Sequence, residues 1–109
     1  CALPIFRGVF TEGLWVSAGT TYTLDLTKPR GSRIYDVTIG GKPLDPAATY
    51  RICVNNYMAS GGDGMNALKN AKGFRQDTGL VDLNVFVDYH GAHSPVNVAT
   101  EGRVRFIRN

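Results

Sequence analysis

Three stretches of the chain alternate polar residues with β-branched, aromatic or aliphatic ones, as half-buried strands do. We predict strands over Thr20–Leu26, Arg33–Ile39 and Thr49–Asn55. The first strand is ended by residues 27–32, because Pro29 has no amide donor and Gly31 tolerates positive φ. The first two strands are therefore expected to be antiparallel neighbours. Gly102–Ile107 is predicted as the last strand.

Helical patterns are weaker and lie between these strands and the last one. Met65–Asn70 has helical composition and is followed by Gly73. Leu80–His90 is ambiguous, because its valines alternate as in a strand while Val81, Val85 and Tyr89 recur at helical spacing. Asp77 or Thr78 could cap a helix there. The pattern alone slightly favours a strand for this segment.

Size and composition indicate one small domain that mixes strands and helices. The chain has 109 residues and 13 glycines, more than the usual share of about 7%, which favours a turn-rich α+β fold over a helical bundle. The net charge is only +3. Because Arg103, Arg105 and Arg108 alternate with apolar residues, we interpret them as the charged edge of a strand and expect no nucleic-acid partner. No apolar run approaches the length of a membrane span.

The densest cluster of candidate functional residues is Asn55–Gly64, in which Gly61, Gly62 and Gly64 surround Asp63, and Tyr57 precedes that carboxylate by six positions. Glycine lets backbone and ligand approach closely. An aromatic face and an acceptor carboxylate suit a ligand with a planar base and sugar hydroxyls. The residues alone also allow a purely structural interpretation, in which Asp63 caps the next helix, Tyr57 is a core aromatic and the glycines only form a turn.

Catalytic signatures are missing from the sequence. No Gly-Lys-Ser/Thr follows the glycines, as a phosphate-binding P-loop would need, and no Gly-x-Ser-x-Gly occurs. His90 and His93 share a helical spacing but have no further ligands spaced with them, so a solvated helix end is favoured over a zinc site. We therefore predict no metal site in this chain and do not expect it to be catalytic alone.

One segment boundary is predicted, near the start of the chain. The start lacks the features of a signal peptide, and Ala2–Ile5 is what the sequencing-adapter codons GCTCTTCCGATC would encode. We therefore expect residues 1–6 to be a non-native leader and residues 7–109 to form the domain.

Several motifs together resemble one family. They are the turn Gly41–Pro46 (G-K-P-L-D-P), the Tyr50-Arg51 pair, the loop Asn56–Gly64 (N-Y-x-A-x-G-G-D-G), Asp77–Gly79 and Glu101–Val104. In this order and spacing they are similar to the C-terminal domain of the 5'-nucleotidase family, over roughly residues 13–107. The resemblance implies an N-terminally truncated form of that α+β domain, and it favours a helix for Leu80–His90.

The resemblance also implies a function. Family members are periplasmic, secreted or cell-surface hydrolases that split nucleotides, and an N-terminal metallophosphoesterase domain with two divalent metal ions does the chemistry. The C-terminal domain binds the nucleoside part of the nucleotide. By this resemblance Tyr57 stacks on the base and Asp63 accepts from the ribose hydroxyls, with room to cap the next helix through its other oxygen. Gly61, Gly62 and Gly64 shape the loop, and Gly13 is a weaker candidate for the base pocket. The alternative is a non-catalytic binding or adhesion module on the same scaffold.

The chain departs from the family pattern in two respects. A second stacking aromatic and the family's ribose- and phosphate-binding arginines would lie upstream of the present chain. Position 65 is Met instead of an aromatic, which we interpret as a change in packing. One stacked base contributes about 1–3 kcal/mol and charged hydrogen bonds about 1.5–3 kcal/mol, before association costs of several kcal/mol. We therefore expect this chain alone to bind nucleotides only at millimolar strength or worse.

Overall fold

A computed structural model describes residues 16–108 of the chain. The predicted leader, residues 1–6, and Gly13 lie outside the described residues. The chain divides into two compact units. One unit contains the described residues up to Ala71 together with those from Gly102 onward, and the other is Lys72–Glu101. The loop that sequence analysis singled out belongs entirely to the first unit.

The first unit contains a four-stranded mixed sheet. Its strands are β1 (Thr20–Asp25), β2 (Ile34–Ile39), β3 (Lys42–Pro43) and β4 (Val104–Ile107). The order across the sheet is β3-β2-β1-β4; β1 pairs antiparallel with β2 and parallel with β4. Three predicted strands are thus present within a residue or two of their expected bounds. With the helices described below, the predicted α+β class is confirmed.

The middle of the sheet is its most buried part. Tyr22, Thr23, Leu24 and Asp25 of β1 are each at most 6% exposed, because strands flank β1 on both sides. Asp25 ends the strand and remains satisfied: its Oδ1 accepts from the amide of Thr27 at 3.0 Å and from the Thr27 hydroxyl at 2.6 Å. These hydrogen bonds hold the pKa of Asp25 below its usual value, and the bond from the Thr27 hydroxyl has the largest effect. Burial acts in the opposite direction and raises this pKa.

The predicted strand over Thr49–Asn55 is wrong. Residues 49–55 form no regular element and pair with none of the described strands. The segment is entered through a turn, in which the amides of Ala47 and Ala48 bond to Asp45 and the amide of Asp45 donates to the Tyr50 hydroxyl at 2.9 Å. Ile52 is 57% exposed. Strand propensity expresses the fit of a side chain to a half-buried pleated surface, and this segment has no such surface.

The helices are short except for one. They are α1 (Asn56–Ala59), a 3₁₀ turn (Gly62–Gly64), α2 (Asn66–Lys69) and α3 (Asp82–His93). The prediction over Met65–Asn70 corresponds to α2. Within Leu80–His90, α3 confirms the helix implied by the resemblance and overturns the slight preference of the pattern for a strand.

The cap expected for α3 differs from the one found. Asp77 and Thr78 accept from the amides of Gly79 and Leu80 and so form turns ahead of the helix. The N-cap residue of α3 is Val81, whose side chain makes no capping bond. No helix within residues 16–108 combines the length and the apolar character that a membrane crossing requires.

Candidate functional site

The candidate site begins where α1 begins. The Asn55 side chain accepts from the amide of Met58 at 2.9 Å, which is the usual N-cap arrangement. This cap starts the helix one residue before Tyr57 and places that side chain in the first turn. The Tyr57 ring is 58% exposed. A core role for Tyr57, one of the structural alternatives considered above, is therefore wrong.

A glycine in the left-handed region ends α1. Gly61 has φ of 93°, and its amide bonds to the carbonyl of Met58 at 3.0 Å. Only glycine adopts this conformation without steric cost, and it commonly ends helices in this way. A Cβ at Gly61 would also lie 3.2 Å from Cδ of Lys69. Gly61 therefore reverses the chain so that the following turn returns toward the start of α1.

The 3₁₀ turn that follows presents the carboxylate of Asp63. Asp63 has φ of 56° and ψ of 29°, and Gly64 has φ of 75°. Aspartate is one of the few residues with a side chain that visit this region routinely. An aspartate with positive φ between two glycines indicates that the turn is built around that carboxylate, and backbone outliers of this kind cluster at binding sites.

The two candidate side chains meet. The Tyr57 hydroxyl donates to Oδ1 of Asp63 at 3.0 Å, and both residues are exposed. Sequence analysis placed both residues in one site without expecting this bond. The six-residue spacing spans one helical turn plus a reversal, which brings the two residues close but does not specify the atoms in contact.

Gly62 lies against one face of the Tyr57 ring. A Cβ built on Gly62 would be 2.6 Å from Cε1, 2.6 Å from Cζ and 2.7 Å from Cδ1 of that ring. Nearly equal distances to three ring carbons put this point over the face of the ring and not beyond its edge. One face therefore covers the glycine backbone, which leaves the opposite face as the candidate stacking surface of this exposed residue.

A small apolar cluster supports the loop from below. Met65 and Leu68 are each 6% exposed, and Met58 and Ala67 pack against them. The amide of Met65 bonds to the carbonyl of Gly62 at 3.1 Å. Met65, which takes the place of an aromatic in the family pattern, is thus a packing residue. The cluster fixes the turn relative to α1.

The proposed capping role of Asp63 is wrong. The N-cap residue of α2 is Met65, and no side-chain capping bond is made there. The carboxylate of Asp63 instead faces Tyr57. His90 and His93 lie in the last turn of α3, where their rings contact Phe86 and Tyr89 at centroid distances of 4.3 and 4.2 Å. Among residues 16–108, no three His, Cys, Asp or Glu side chains are grouped so that they could hold a metal ion.

Comparison with known sequences gives one consistent result. Residues 8–70 match the family described as "5'-nucleotidase, C-terminal domain". An apyrase of Tabanus yao is 33% identical over 97% of this chain and 20% of its own length. A 5'-nucleotidase of Diplobatis ommata is 36% identical over 90% of this chain and 18% of its own length.

A solved structure gives the same result. The 5'-nucleotidase precursor of Thermus thermophilus superposes with a TM-score of 0.81 at 43% identity, over 84% of this chain and 19% of the other. The chain spans about a fifth of the length of these three relatives.

Proposed function

Because this chain belongs to the 5'-nucleotidase family, as its C-terminal domain, we propose that it binds the nucleoside part of a nucleotide for a metal-dependent phosphoester hydrolase. The catalytic metallophosphoesterase domain, with two divalent metal ions, would be another part of the same protein. By the same reasoning we propose that this protein acts in the periplasm, at the cell surface or outside the cell.

The observation that carries the proposal is the exposed pair of Tyr57 and Asp63. The outer face of the Tyr57 ring is a stacking surface for a purine or pyrimidine. The Asp63 carboxylate, within hydrogen-bonding distance of the Tyr57 hydroxyl, is an acceptor for sugar hydroxyls. A nucleoside carries a flat base joined to a hydroxylated ring, so one ligand can engage both groups. Gly61, Gly62 and Gly64 shape the backbone of this site.

The catalytic domain and the nucleoside-binding domain would have different roles in the reaction. In two-metal hydrolases the metal ions activate the attacking water and stabilise the leaving oxygen. The residues described here would bind and orient the nucleoside but move no proton in that step. The names of the relatives, apyrase and 5'-nucleotidase, agree with a nucleotide as the substrate class.

The test is the affinity of the complete gene product for adenosine, measured by calorimetry with and without Tyr57→Ala. Loss of one stacked base is expected to weaken binding by about 1–3 kcal/mol, or roughly 5- to 150-fold. Tyr89→Ala is the matched control, because Tyr89 is 54% exposed and lies in the other unit. Equal affinities of the wild type and Tyr57→Ala would contradict the stacking role. Adenosine binding without hydrolysis of any nucleotide would favour the non-catalytic module.

A further inference from the structure

The hydrogen bond between Tyr57 and Asp63 is made by the Tyr57 hydroxyl, a group that is not needed for stacking on a base. Phenylalanine would stack on a base equally well, because stacking uses only the face of the ring. In this chain the additional hydroxyl donates to Oδ1 of Asp63. Within the described residues, no hydrogen bond is made to Oδ2.

We propose that Tyr57 is a positioning residue for Asp63 in addition to its stacking role: its hydroxyl fixes Oδ1, so that Oδ2 faces the sugar hydroxyls of the ligand. This inference rests on the proposed function. It concerns how the carboxylate is oriented before the ligand arrives. Through Asp63, the hydroxyl of Tyr57 then helps to recognise the ribose hydroxyls of the ligand.

Both ends of the hydrogen bond are fixed by the loop. The ring of Tyr57 lies on Gly62, so the direction of its hydroxyl is set by the backbone beneath it. The carboxylate extends from a left-handed residue between glycines, over a turn held by the buried Met65. Neither partner therefore depends on ligand for its place. The bond joins two groups that the backbone already brings together.

The opposite effect, competition between the hydroxyl and the ligand, is the weaker one. An ionised carboxylate has about four acceptor positions, and Tyr57 occupies one of them, so acceptor capacity remains for a diol. Immobilising a side chain on binding weakens affinity by about 2- to 13-fold. A hydroxyl that already holds the carboxylate removes part of this cost, with a value near the lower end for a short, exposed side chain such as Asp63.

The experiment compares adenosine with 2',3'-dideoxyadenosine, using the complete gene product and its Tyr57→Phe variant. The variant keeps the ring and its contact with Gly62 but loses the hydroxyl. Adenosine affinity is expected to fall about two- to fivefold, and dideoxyadenosine affinity to stay unchanged. On an Asp63→Ala background, Tyr57→Phe should alter neither affinity. Tyr35→Phe is the matched control, because the Tyr35 hydroxyl also donates to an aspartate, Asp25, at 3.5 Å in the sheet.

The possible outcomes separate the two proposals. A wild type that prefers adenosine over its dideoxy analogue, with a Tyr57→Phe variant that binds adenosine as tightly or more tightly, overturns the positioning role and leaves the proposed function standing. Equal losses for both nucleosides also overturn it, because they indicate a general change in the loop. A wild type that binds neither nucleoside overturns the proposed function and this inference with it.

Discussion

Gly62→Ala is a sharp test of the geometry at the Tyr57 ring. The new methyl carbon would lie 2.6 Å from two ring carbons, whereas non-bonded carbons are most favourable at about 3.5–4.0 Å. The ring must therefore move away by about 1 Å or more. The substitution is expected to displace the ring and not to unfold the loop, because Tyr57 is 58% exposed. Such a movement changes the position of the stacking face and stretches the 3.0 Å bond to Asp63.

The effects on stability and on binding are expected to differ. Losing the Tyr57–Asp63 bond costs about 0.5–1.5 kcal/mol. Replacing a glycine that does not have positive φ restricts the unfolded chain and returns about 0.4–1 kcal/mol, and Gly62 is such a glycine. The free energy of unfolding should therefore change by less than about 1 kcal/mol. Nucleoside binding should lose most of the stacking contribution, about 1–3 kcal/mol.

The assay measures adenosine affinity by calorimetry and stability by urea unfolding, on the same preparations. Gly91→Ala is the matched control: Gly91 lies in α3, also without positive φ, and a Cβ there would have no neighbour within 4 Å. That variant should be more stable by about 0.5–1 kcal/mol and should bind adenosine as the wild type does. A Gly62→Ala protein with unchanged adenosine affinity would refute the assignment of the outer ring face as the stacking surface.

Two further predictions concern the supports of the site and of the sheet. Asn55→Ala removes the cap of α1 and should cost about 1 kcal/mol; hydrogen exchange at the Met58 amide should become faster, and unchanged protection there would contradict the cap. The hydrogen bonds from Thr27 lower the pKa of Asp25 in the folded protein. The ionised carboxylate therefore stabilises the fold at pH values above its unfolded-state pKa of about 3.9. This stabilisation is lost as the pH falls through the lower folded-state pKa. Asp25→Asn should therefore reduce the free energy of unfolding at neutral pH and make that free energy depend less on pH in acid. If the urea midpoint of the variant fell with pH as steeply as that of the wild type, this role of Asp25 would be excluded.

Local pattern was sufficient for the elements whose partners are near in sequence. β1 and β2 form a hairpin-like antiparallel pair, with Thr20 opposite Ile39, and alternation together with turn residues predicted both. The parallel pairing of Tyr22 with Val104 joins residues far apart in the chain. Periodicity gives the face of a strand but no information about such a distant partner, and the neighbours of β4 could not be predicted for this reason.

The secondary structure of two segments, residues 49–55 and α3, was predicted wrongly from the pattern for opposite physical reasons. Residues 49–55 have the composition of a strand but form none of the strands of the described sheet, because composition does not determine which segments pair. In α3 the difficulty is an excess of apolar residues, because Leu83, Val85, Phe86 and Val87 do not lie on one face of the helix. All four are exposed in the structure, so burial does not select one face either. Here the resemblance succeeded because it compares whole motifs and does not depend on periodicity.

The candidate site was predictable in its residues but not in its contacts. Glycines around a carboxylate indicate a shaped loop, which is why Tyr57 and Asp63 could be singled out. Whether Asp63 would cap α2 or face the aromatic depends on two backbone angles, φ of 56° and ψ of 29°, that no residue pattern specifies. In the structure the carboxylate faces the phenol of Tyr57, which donates a hydrogen bond to it.

The three glycines of the loop meet two kinds of requirement, because two of them provide left-handed backbone and the third provides space. Gly61 provides the left-handed backbone that ends α1, and Gly64 provides the one that follows the carboxylate; a side chain at either position would raise the energy of the backbone itself. Gly62 has no such backbone requirement, and what it provides is space for the Tyr57 ring. A substitution at Gly61 or Gly64 therefore acts on folding, whereas one at Gly62 acts on the ring. We therefore expect the glycine with ordinary backbone angles, Gly62, to be the one whose substitution acts most directly on ligand binding.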